Sequence, residues 1–331
     1  MNIRKAVVQD VPAIVALLKQ SLGESLMPKS EAYWKWKHVD NPFGISPVLV
    51  AEENGILIGI RAFMRWQWHD NKQIFSTLRA VDTATHPGHQ GKGIFKKLTL
   101  QLVKQCTDEG DHFVFNTPNT QSRPGYLKMG WVVAGKVPVR MSVNRPLSML
   151  AKGLAKTTTT TVSPSSDNLT LLLKHAGLSD LLDVETNKGY GIQTHYSSTY
   201  LDWRYRTVPV ASYLAFGETH GNSLHGLVIG RIKQTRIGNE LRITDCFIDN
   251  EKSLKHLQHQ LKQAVQDYQI DYTTIAGTSS SSVWRLLPGT GSFLKLPIGP
   301  VATVRALALE DLSQFHNFAN WSPSFGDLEL F

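Results

Sequence analysis

Residues 83–98 constrain the fold most, because they join a strand, a glycine-rich loop and a helix within sixteen positions. An apolar run containing Leu78 predicts the strand that enters this segment, and Gln-Gly-Lys-Gly at 90–93 forms the loop. Apolar residues then recur at helical spacing over 94–106. The first N–H groups of a helix lack internal partners and lie at its positive end, so this layout predicts an anion site. The spacing matches neither a P-loop nor the dinucleotide fingerprint.

The composition is that of a globular protein with room for two domains. The chain has 331 residues, of which 41% are hydrophobic and 19% charged. A net charge of +8 favours anionic ligands, but the basic residues are scattered, so we expect no nucleic-acid partner. Cys106 and Cys246 are too few for a disulfide framework or a zinc site. Neither a signal peptide nor a membrane span is predicted, and we expect a cytoplasmic protein.

The first 145 residues predict a mixed order of elements. A strand is followed by two helices, three antiparallel strands, a helix, a strand, a short helix and two final strands. Asn54-Gly55 lies between two strand-like runs and is a hairpin signal. This order favours an α+β domain with one mixed sheet.

Two motifs resemble those of the GCN5-related N-acetyltransferase (GNAT) superfamily, whose element order is also the one predicted. Its loop pattern is Gln/Arg-x-x-Gly-x-Gly/Ala; Gln90 and Gly93 fit, whereas Phe95 stands where a small residue is usual. The helical register of Phe95 predicts that its side chain points into the core. The second motif has the spacing of Asn119, Ser122, Tyr126 and Gly130-Trp131. Further segments resemble a bacterial subgroup near the enhanced-intracellular-survival and surface-polysaccharide acetyltransferases.

The resemblance implies a cofactor site for acetyl-CoA as co-substrate and no metal. Backbone groups of the entering strand are expected to hold the pantetheine arm, and the loop N–H groups the pyrophosphate. The cofactor-binding residues predicted in this way are Ala84, Thr85, Gln90, Gly91, Lys92, Gly93, Ile94, Phe95 and Asn119. Asn119 and Gly130 also fit simple helix-cap roles.

The resemblance further implies a general acid and leaves the base open. Tyr126 is expected to protonate the leaving CoA thiolate. Asp82 is one candidate base, but its recurrence in the second half favours a structural role for an Arg79/Asp82 pair. The terminal carboxylate of Phe331 is another candidate, as in some relatives. His86 is expected to be a turn residue.

The acceptor is expected to be an amine of a small molecule or an amino sugar. Aromatic residues suit a sugar face or an apolar amine, and four of them are candidates for the acceptor pocket: Tyr33, Phe43, Trp66 and Trp68. The sequence identifies neither the acceptor nor the oligomeric state.

The second half of the chain repeats the first. Tyr33-x-x-Trp36-Lys37 matches Tyr200-x-x-Trp203-Arg204 at an offset of 167 positions, and Leu57-x-Gly59 matches Leu224-x-Gly226 at the same offset. The Thr/Ser-rich composition predicts a linker at 149–168. We therefore predict two GNAT folds in tandem, at 1–148 and 169–331, each a splayed, mostly antiparallel mixed sheet flanked by helices.

The second copy lacks the features expected of a catalytic domain. Its counterpart of the loop, residues 248–253, has no glycine and two acids, and Leu287 stands opposite Tyr126. We predict that this half is non-catalytic and helps to form the acceptor cleft.

Two other functions compete with acetyl transfer. A tandem-GNAT aminoacyl transferase like the FemABX enzymes uses aminoacyl-tRNA, but the intact pyrophosphate loop argues against it. A non-enzymatic CoA-binding sensor or partner protein is the other, and the presence of Tyr126 argues against that.

Overall fold

The computed structural model describes residues 1–23, 27–155, 167–189, 191–277, 286, 294–296 and 299–328. The strands are β1 (Asn2–Lys5), β2 (Val48–Glu53), β3 (Ile56–His69), β4 (Ile74–Thr85), β5 (Phe113–Asn116), β6 (Val132–Lys136), β7 (Val139–Val143), β8 (Gln193–Thr194), β9 (Leu214–His220), β10 (Ser223–Thr235), β11 (Gly238–Ile248), β12 (Tyr272–Ala276), β13 (Leu294–Leu296) and β14 (Val301–Ala306). The α-helices are α1 (Val11–Leu22), α2 (Glu31–His38), α3 (Ile94–Asp108), α4 (Arg123–Lys128), α5 (Pro146–Ala155), α6 (Asp167–Leu173), α7 (Leu178–Asn187), α8 (Ser198–Leu201), α9 (Glu251–Asp267) and α10 (Phe325–Leu328).

These strands form two mixed sheets. The first has the order β1-β2-β3-β4-β5-β14-β6, with β8 beside β3, and the second has the order β13-β7-β12-β11-β10-β9. The predicted hairpin joins β2 and β3, and Asn54 and Gly55 both have positive φ, as a type I′ turn requires. The two sheets with flanking helices confirm the predicted fold class.

The two halves exchange a strand. β14, from the second half, lies between β5 and β6 and pairs antiparallel with both. β7, from the first half, lies between β12 and β13 in the other sheet. The sequence predicted β6 and β7 as successive final strands of one half, and the structure places them in different sheets. Each sheet is therefore complete only when both halves are present.

The halves meet around two stacked tryptophans. The rings of Trp36 and Trp203 lie 4.6 Å apart at 12°. Each indole Nε1 donates to the other residue's carbonyl at 2.8 Å, and both side chains are buried. The contact is reciprocal, so the repeat visible in the sequence forms a pseudo-twofold interface.

The first sheet opens at the carboxyl end of β4. β4 and β5 are parallel and pair over only three residues of each strand, at Thr77–Arg79 and 113–115. β4 continues to Thr85 on β3 alone, with a register shift at Asp82, whose φ is +34°. A bulge and positive φ in a non-glycine residue bend the strand away from β5 and leave a gap beside it.

The predicted linker is partly helical. α5 includes residues 149–155, and α6 begins at Asp167. The threonine run, 157–161, lies outside the described residues. The domain limits at 148 and 169 remain a prediction.

Candidate active site

The glycine loop begins α3 without a side-chain cap. Gly93, at the N-cap position, has φ +74°, and Gly91 has φ +76°, a region that side chains rarely adopt. The backbone N–H groups of residues 91–96 have no hydrogen-bond acceptor among the described residues. His86 is the expected turn residue, because its Nδ1 accepts a hydrogen bond from the N–H of Gly88. The loop therefore presents unpaired donors to solvent at the positive end of a helix.

A cavity of about 400 Å³ lies beside the open part of β4. It is bounded by α2, β3, β4 and the segment before α4, and its lining includes Met27, Lys29, Tyr33, Lys37, Arg61, Arg79, Val81, Asp82, Thr83, Asn116, Thr117, Asn119, Ser122 and Tyr126. Four of these side chains are cationic and one is acidic. The cavity is therefore suited to a ligand that carries negative charge.

Tyr126 forms part of this cavity. Its side chain is 4% exposed, and its hydroxyl accepts a hydrogen bond from a terminal nitrogen of Arg61 at 2.8 Å. Phe95 packs edge-on against the Tyr126 ring, 5.6 Å away, and contacts the core beneath α3. The predicted orientation of Phe95 is thus observed, and its ring does not occupy the loop.

Asp82 belongs to a buried charge cluster. Its Oδ2 lies 2.8 Å from Lys37 Nζ and 2.8 Å from His38 Nε2, and both of these side chains are buried. Burial alone would raise the pKa of Asp82, but the Lys37 charge and the His38 hydrogen bond hold it well below its usual range. A carboxylate stabilised in this way is a weak base. The predicted Arg79/Asp82 pair is not present, because Arg79 binds elsewhere.

Arg79 connects the cavity to the C-terminal segment of the chain. It donates to the carbonyls of Asp327 and Leu328, the latter at 3.0 Å. Burial lowers the pKa of Arg79 to about 10. Phe331, the candidate terminal carboxylate, lies outside the described residues. The second half nevertheless contributes backbone groups next to the cavity wall.

The predicted acceptor residues separate into two groups. Tyr33 lines the cavity. Trp66 and Trp68 are 1% exposed and do not line it; they pack in the core shared by both halves. Phe43 stacks on Tyr200 there at 5.3 Å. Trp66 and Trp68 share one face of β3, and the second half covers that face, which the sequence could not indicate.

Of the remaining cofactor candidates, Asn119 lines the cavity, whereas Ala84 and Thr85 are the last residues of β4 and do not line it. Ala84 is buried on β4, and the carbonyl of Thr85 accepts a hydrogen bond from Ser21 Oγ at 3.0 Å. Asn119 caps the turn before α4, because its Oδ1 accepts from the N–H groups of Gln121 and Ser122. The N-cap of α4 itself is Ser122, so Asn119 caps the preceding turn rather than the helix, and its contact with a cofactor remains a prediction.

Sequence reasoning missed four basic side chains in or next to the cavity: Lys29, Lys37, His38 and Arg61. A signal existed for Lys37 alone, because a basic residue recurs at Arg204 in the repeat. Arg61 lies within an apolar strand, where a lone arginine in the sequence carries no information about its partner.

One group outside the cavity could offer metal ligands. Atoms of Cys106, Glu109 and Asp111 lie within 4.8 Å of one another at the far end of α3. Arg65 is ion-paired with both carboxylates. Burial raises the pKa of the Cys106 thiol to about 12, so it is protonated at neutral pH. The donors are thus already committed, and we assign no metal to them. In the described part of the chain, every helix is too short or too polar to cross a bilayer.

Comparisons with known proteins agree with this geometry. Residues 2–134 match a family described as an acetyltransferase (GNAT) domain. Over 95 residues the chain is 34% identical to the L-amino acid N-acyltransferase MnaT of Escherichia coli K12 and 32% identical to an L-methionine sulfoximine/L-methionine sulfone acetyltransferase of Salmonella typhimurium LT2. Each match covers 28% of this chain and 54% of the relative, so the chain spans about half the length of the curated relatives it matches.

The fold comparison extends over both halves. A GCN5-related N-acetyltransferase from Anabaena variabilis ATCC 29413 superimposes with a TM-score of 0.65 at 16% identity, over 92% of this chain and 72% of that one. At this identity the similarity concerns the fold alone. Residues 2–134 thus match the acetyltransferase (GNAT) domain model, and the fold of both halves is similar to that of a GCN5-related N-acetyltransferase.

Proposed function

We propose that this protein transfers an acetyl group from acetyl-CoA directly to the amine of a small-molecule acceptor. One observation supports the proposal: β4 and Tyr126 line one cavity, and the uncapped loop follows the carboxyl end of the same strand. A donor whose pyrophosphate lies on the loop N–H groups would run along β4 toward Tyr126.

The reaction needs positioning and one proton donor. The acceptor nitrogen attacks the thioester carbonyl, the C–S bond breaks with its electron pair on sulfur, and Tyr126 gives its proton to that sulfur. The acceptor nitrogen loses one proton in the same cycle. Holding the two reactants in contact supplies much of the rate enhancement, and proton transfer supplies the rest.

The base is not Asp82 in this proposal. Its carboxylate is already stabilised by Lys37 and His38 and serves to fix these two buried side chains. The carboxylate of Phe331 remains a candidate, because Arg79 holds the carbonyl of Leu328 beside the cavity. Deleting Phe331 without changing activity or its pH profile would dismiss that candidate.

The cavity favours an acceptor that carries an anionic group as well as an amine. Lys37 is paired with Asp82, but Lys29 has no acidic partner among the described residues. Two relatives are named for amino acids or their analogues, and an amino acid has both groups. We therefore propose an amino acid, or another amine with a carboxylate or phosphate, as the acceptor class.

Calorimetric titration with acetyl-CoA tests the donor. Wild type should bind, and Gly93→Trp should weaken binding at least about tenfold, or about 1.4 kcal/mol. Gly110→Trp is a matched control, because Gly110 lies at the other end of α3 with φ +86° and open space around it. Equal binding by Gly93→Trp and wild type, or no binding by wild type, would refute the donor assignment. The second result would also return the aminoacyl-tRNA alternative to consideration.

CoA release with paired acceptors tests the acceptor class. Each L-amino acid is compared with its amide, which keeps the amine and removes the carboxylate. We expect kcat/KM to be at least about tenfold higher for the acid, because a charge-assisted hydrogen bond is lost with the amide. Equal values for acid and amide would contradict the proposed acceptor class while leaving the donor intact.

A further inference from the structure

Arg61 is a buried cation without an acidic partner among the described residues. Its side chain is 0% exposed, and its terminal nitrogens donate to the hydroxyl of Tyr126 at 2.8 Å and to the carbonyl of Val81 at 3.2 Å. Its Nε has no partner there either. Burying a charge without a counter-ion is costly, so the residue requires an explanation beyond packing.

The hydrogen bond between Arg61 and Tyr126 has only one possible direction. A guanidinium can donate but cannot accept, so the phenol oxygen must be the acceptor. The phenol hydrogen is then free to point elsewhere, and the described residues provide no other partner for the Tyr126 hydroxyl. Because Tyr126 lines the cavity, the proton is available to a group bound there.

Aromatic rings hold the guanidinium in place. It lies 4.8 Å from the ring centre of Phe63, 5.4 Å from that of Tyr126 and 5.7 Å from that of Phe95. These contacts give Phe95 a role at a position where the family motif has a small residue. Its ring supports both members of the Arg61–Tyr126 pair.

The second half lacks both members of this pair. Gly59 and Gly226 are structural counterparts, because a Cβ on either would collide with the helix packed over its strand, at Ile94 and Leu257 respectively. The same offset of 167 places Val228 opposite Arg61, and Val228 is fully buried in an apolar cluster. The sequence places Leu287 opposite Tyr126, outside the described residues. The positions of the second half that correspond to Arg61 and Tyr126 thus hold neither an arginine nor a tyrosine.

We infer that Arg61 is a positioning residue for Tyr126: it directs the phenol proton into the cavity and balances the charge of the phenolate. This inference rests on the proposed function. When the C–S bond of the tetrahedral intermediate breaks, its electron pair goes to sulfur and the Tyr126 proton follows. The O–H electron pair stays on the phenolate, beside the Arg61 guanidinium. The proton lost by the acceptor nitrogen restores the phenol.

A double-mutant cycle in turnover tests this role. Arg61→Gln is measured in the wild-type and the Tyr126→Phe backgrounds, with kcat, KM and calorimetric acetyl-CoA affinity. In the wild-type background we expect kcat to fall about 10- to 100-fold, the range for a hydrogen bond to a charged group, with acetyl-CoA affinity nearly unchanged. In the Tyr126→Phe background the same substitution should leave kcat nearly unchanged. Equal losses in both backgrounds, or no loss in either, would overturn the inference.

A stability cycle gives a readout that does not depend on activity. The free energies of unfolding of the two single variants and the double variant should be non-additive, because the two side chains share one hydrogen bond. Additive values would contradict the contact itself. If Arg61→Gln does not fold, Arg61→Lys replaces it in both cycles; it keeps the charge, so its loss of kcat should be smaller and still depend on Tyr126. A wild-type protein that neither binds acetyl-CoA nor releases CoA refutes the proposed function, whereas wild-type turnover with background-independent losses refutes the inference alone.

Discussion

The N-termini of α3 and α9 show how one fold holds two different helix starts. Both helices pack on a strand glycine, Gly59 and Gly226, so their core contacts are alike. α3 begins at Gly93 with open N–H groups, whereas α9 begins at Asn250, whose side chain accepts from the N–H of Ser253 at 3.0 Å. Packing thus does not require the glycine loop. The glycine loop occurs only in the half for which we propose an anionic cofactor.

The two halves also differ in the volume of the cavity beside the central strand, which is β4 in the first half and β11 in the second. In the first half this cavity has a volume of about 400 Å³. In the second half about 40 Å³ remains beside Asp245, because the C-terminal segment occupies that side of β11. Gly326 lies there so closely that a Cβ would meet Asp245 Oδ2 at 2.3 Å. The second half fills its own cleft with the chain that reaches Arg79 in the first.

The largest expected effect tests whether the first half alone is catalytic. Tyr126→Phe should lower kcat by about 10² to 10⁴-fold with little change in acetyl-CoA affinity, because only the acid is lost. Tyr272→Phe is the control, since Tyr272 is a buried tyrosine of the second sheet that bonds Thr235. Turnover unaffected by Tyr126→Phe would remove the proposed acid.

The next effect concerns Asp82 and its counterpart Asp245. Asp82→Asn should destabilise the fold by about 3–5 kcal/mol at pH 7, because it leaves the Lys37 charge buried without a counter-ion. Asp245 is held by the phenols of Tyr196 and Tyr205, so Asp245→Asn should cost much less. Chemical denaturation of both variants gives the comparison, and equal losses would contradict it.

The free energies of unfolding that Asp82 and Asp327 contribute depend on pH in opposite directions. The lowered pKa of Asp82 contributes stability above the unfolded value near 4, which is lost as pH falls through the folded pKa. Burial and the nearby Asp245 raise the pKa of Asp327 to about 7, so its contribution is present below about 4 and lost as pH rises to about 7. Asp327→Asn should therefore flatten the fall in unfolding free energy between about pH 4 and 7. A slope unchanged by Asp327→Asn would contradict this assignment.

A smaller effect tests the symmetry of the interface. Trp36→Phe and Trp203→Phe each remove one buried hydrogen bond across the interface and part of the ring packing, so each should cost about 1–3 kcal/mol. Because the contact is reciprocal, the two losses should be similar and non-additive in the double variant. Urea denaturation gives the free energies of unfolding. Strongly unequal losses would show that the two tryptophans contribute unequally to stability despite their symmetric geometry.

The smallest effect separates the two helix starts. Asn250→Ala should lower the free energy of unfolding by about 1 kcal/mol, because α9 loses its cap. It should leave acetyl-CoA affinity unchanged, since α9 lies in the half without the loop. A change in that affinity would contradict the division of roles between the halves.

The sequence alone determined the features that depend on neighbouring residues. The loop at 90–93, the apolar stripe of α3, the Asn54-Gly55 hairpin and the loss of the loop near Asn250 were all predictable, because turn chemistry and periodicity act over a few positions. The repeat also predicted that Trp36 and Trp203 are equivalent.

Only the tertiary structure decided which distant segments meet. β7 and β14 exchange sheets, since strand pairing depends on the available edges of both sheets rather than on local pattern. The same exchange and the apposed halves bury Trp68, which the sequence assigned to a pocket. The Arg61–Tyr126 pair joins residues 65 positions apart, and no local signal encodes such a contact.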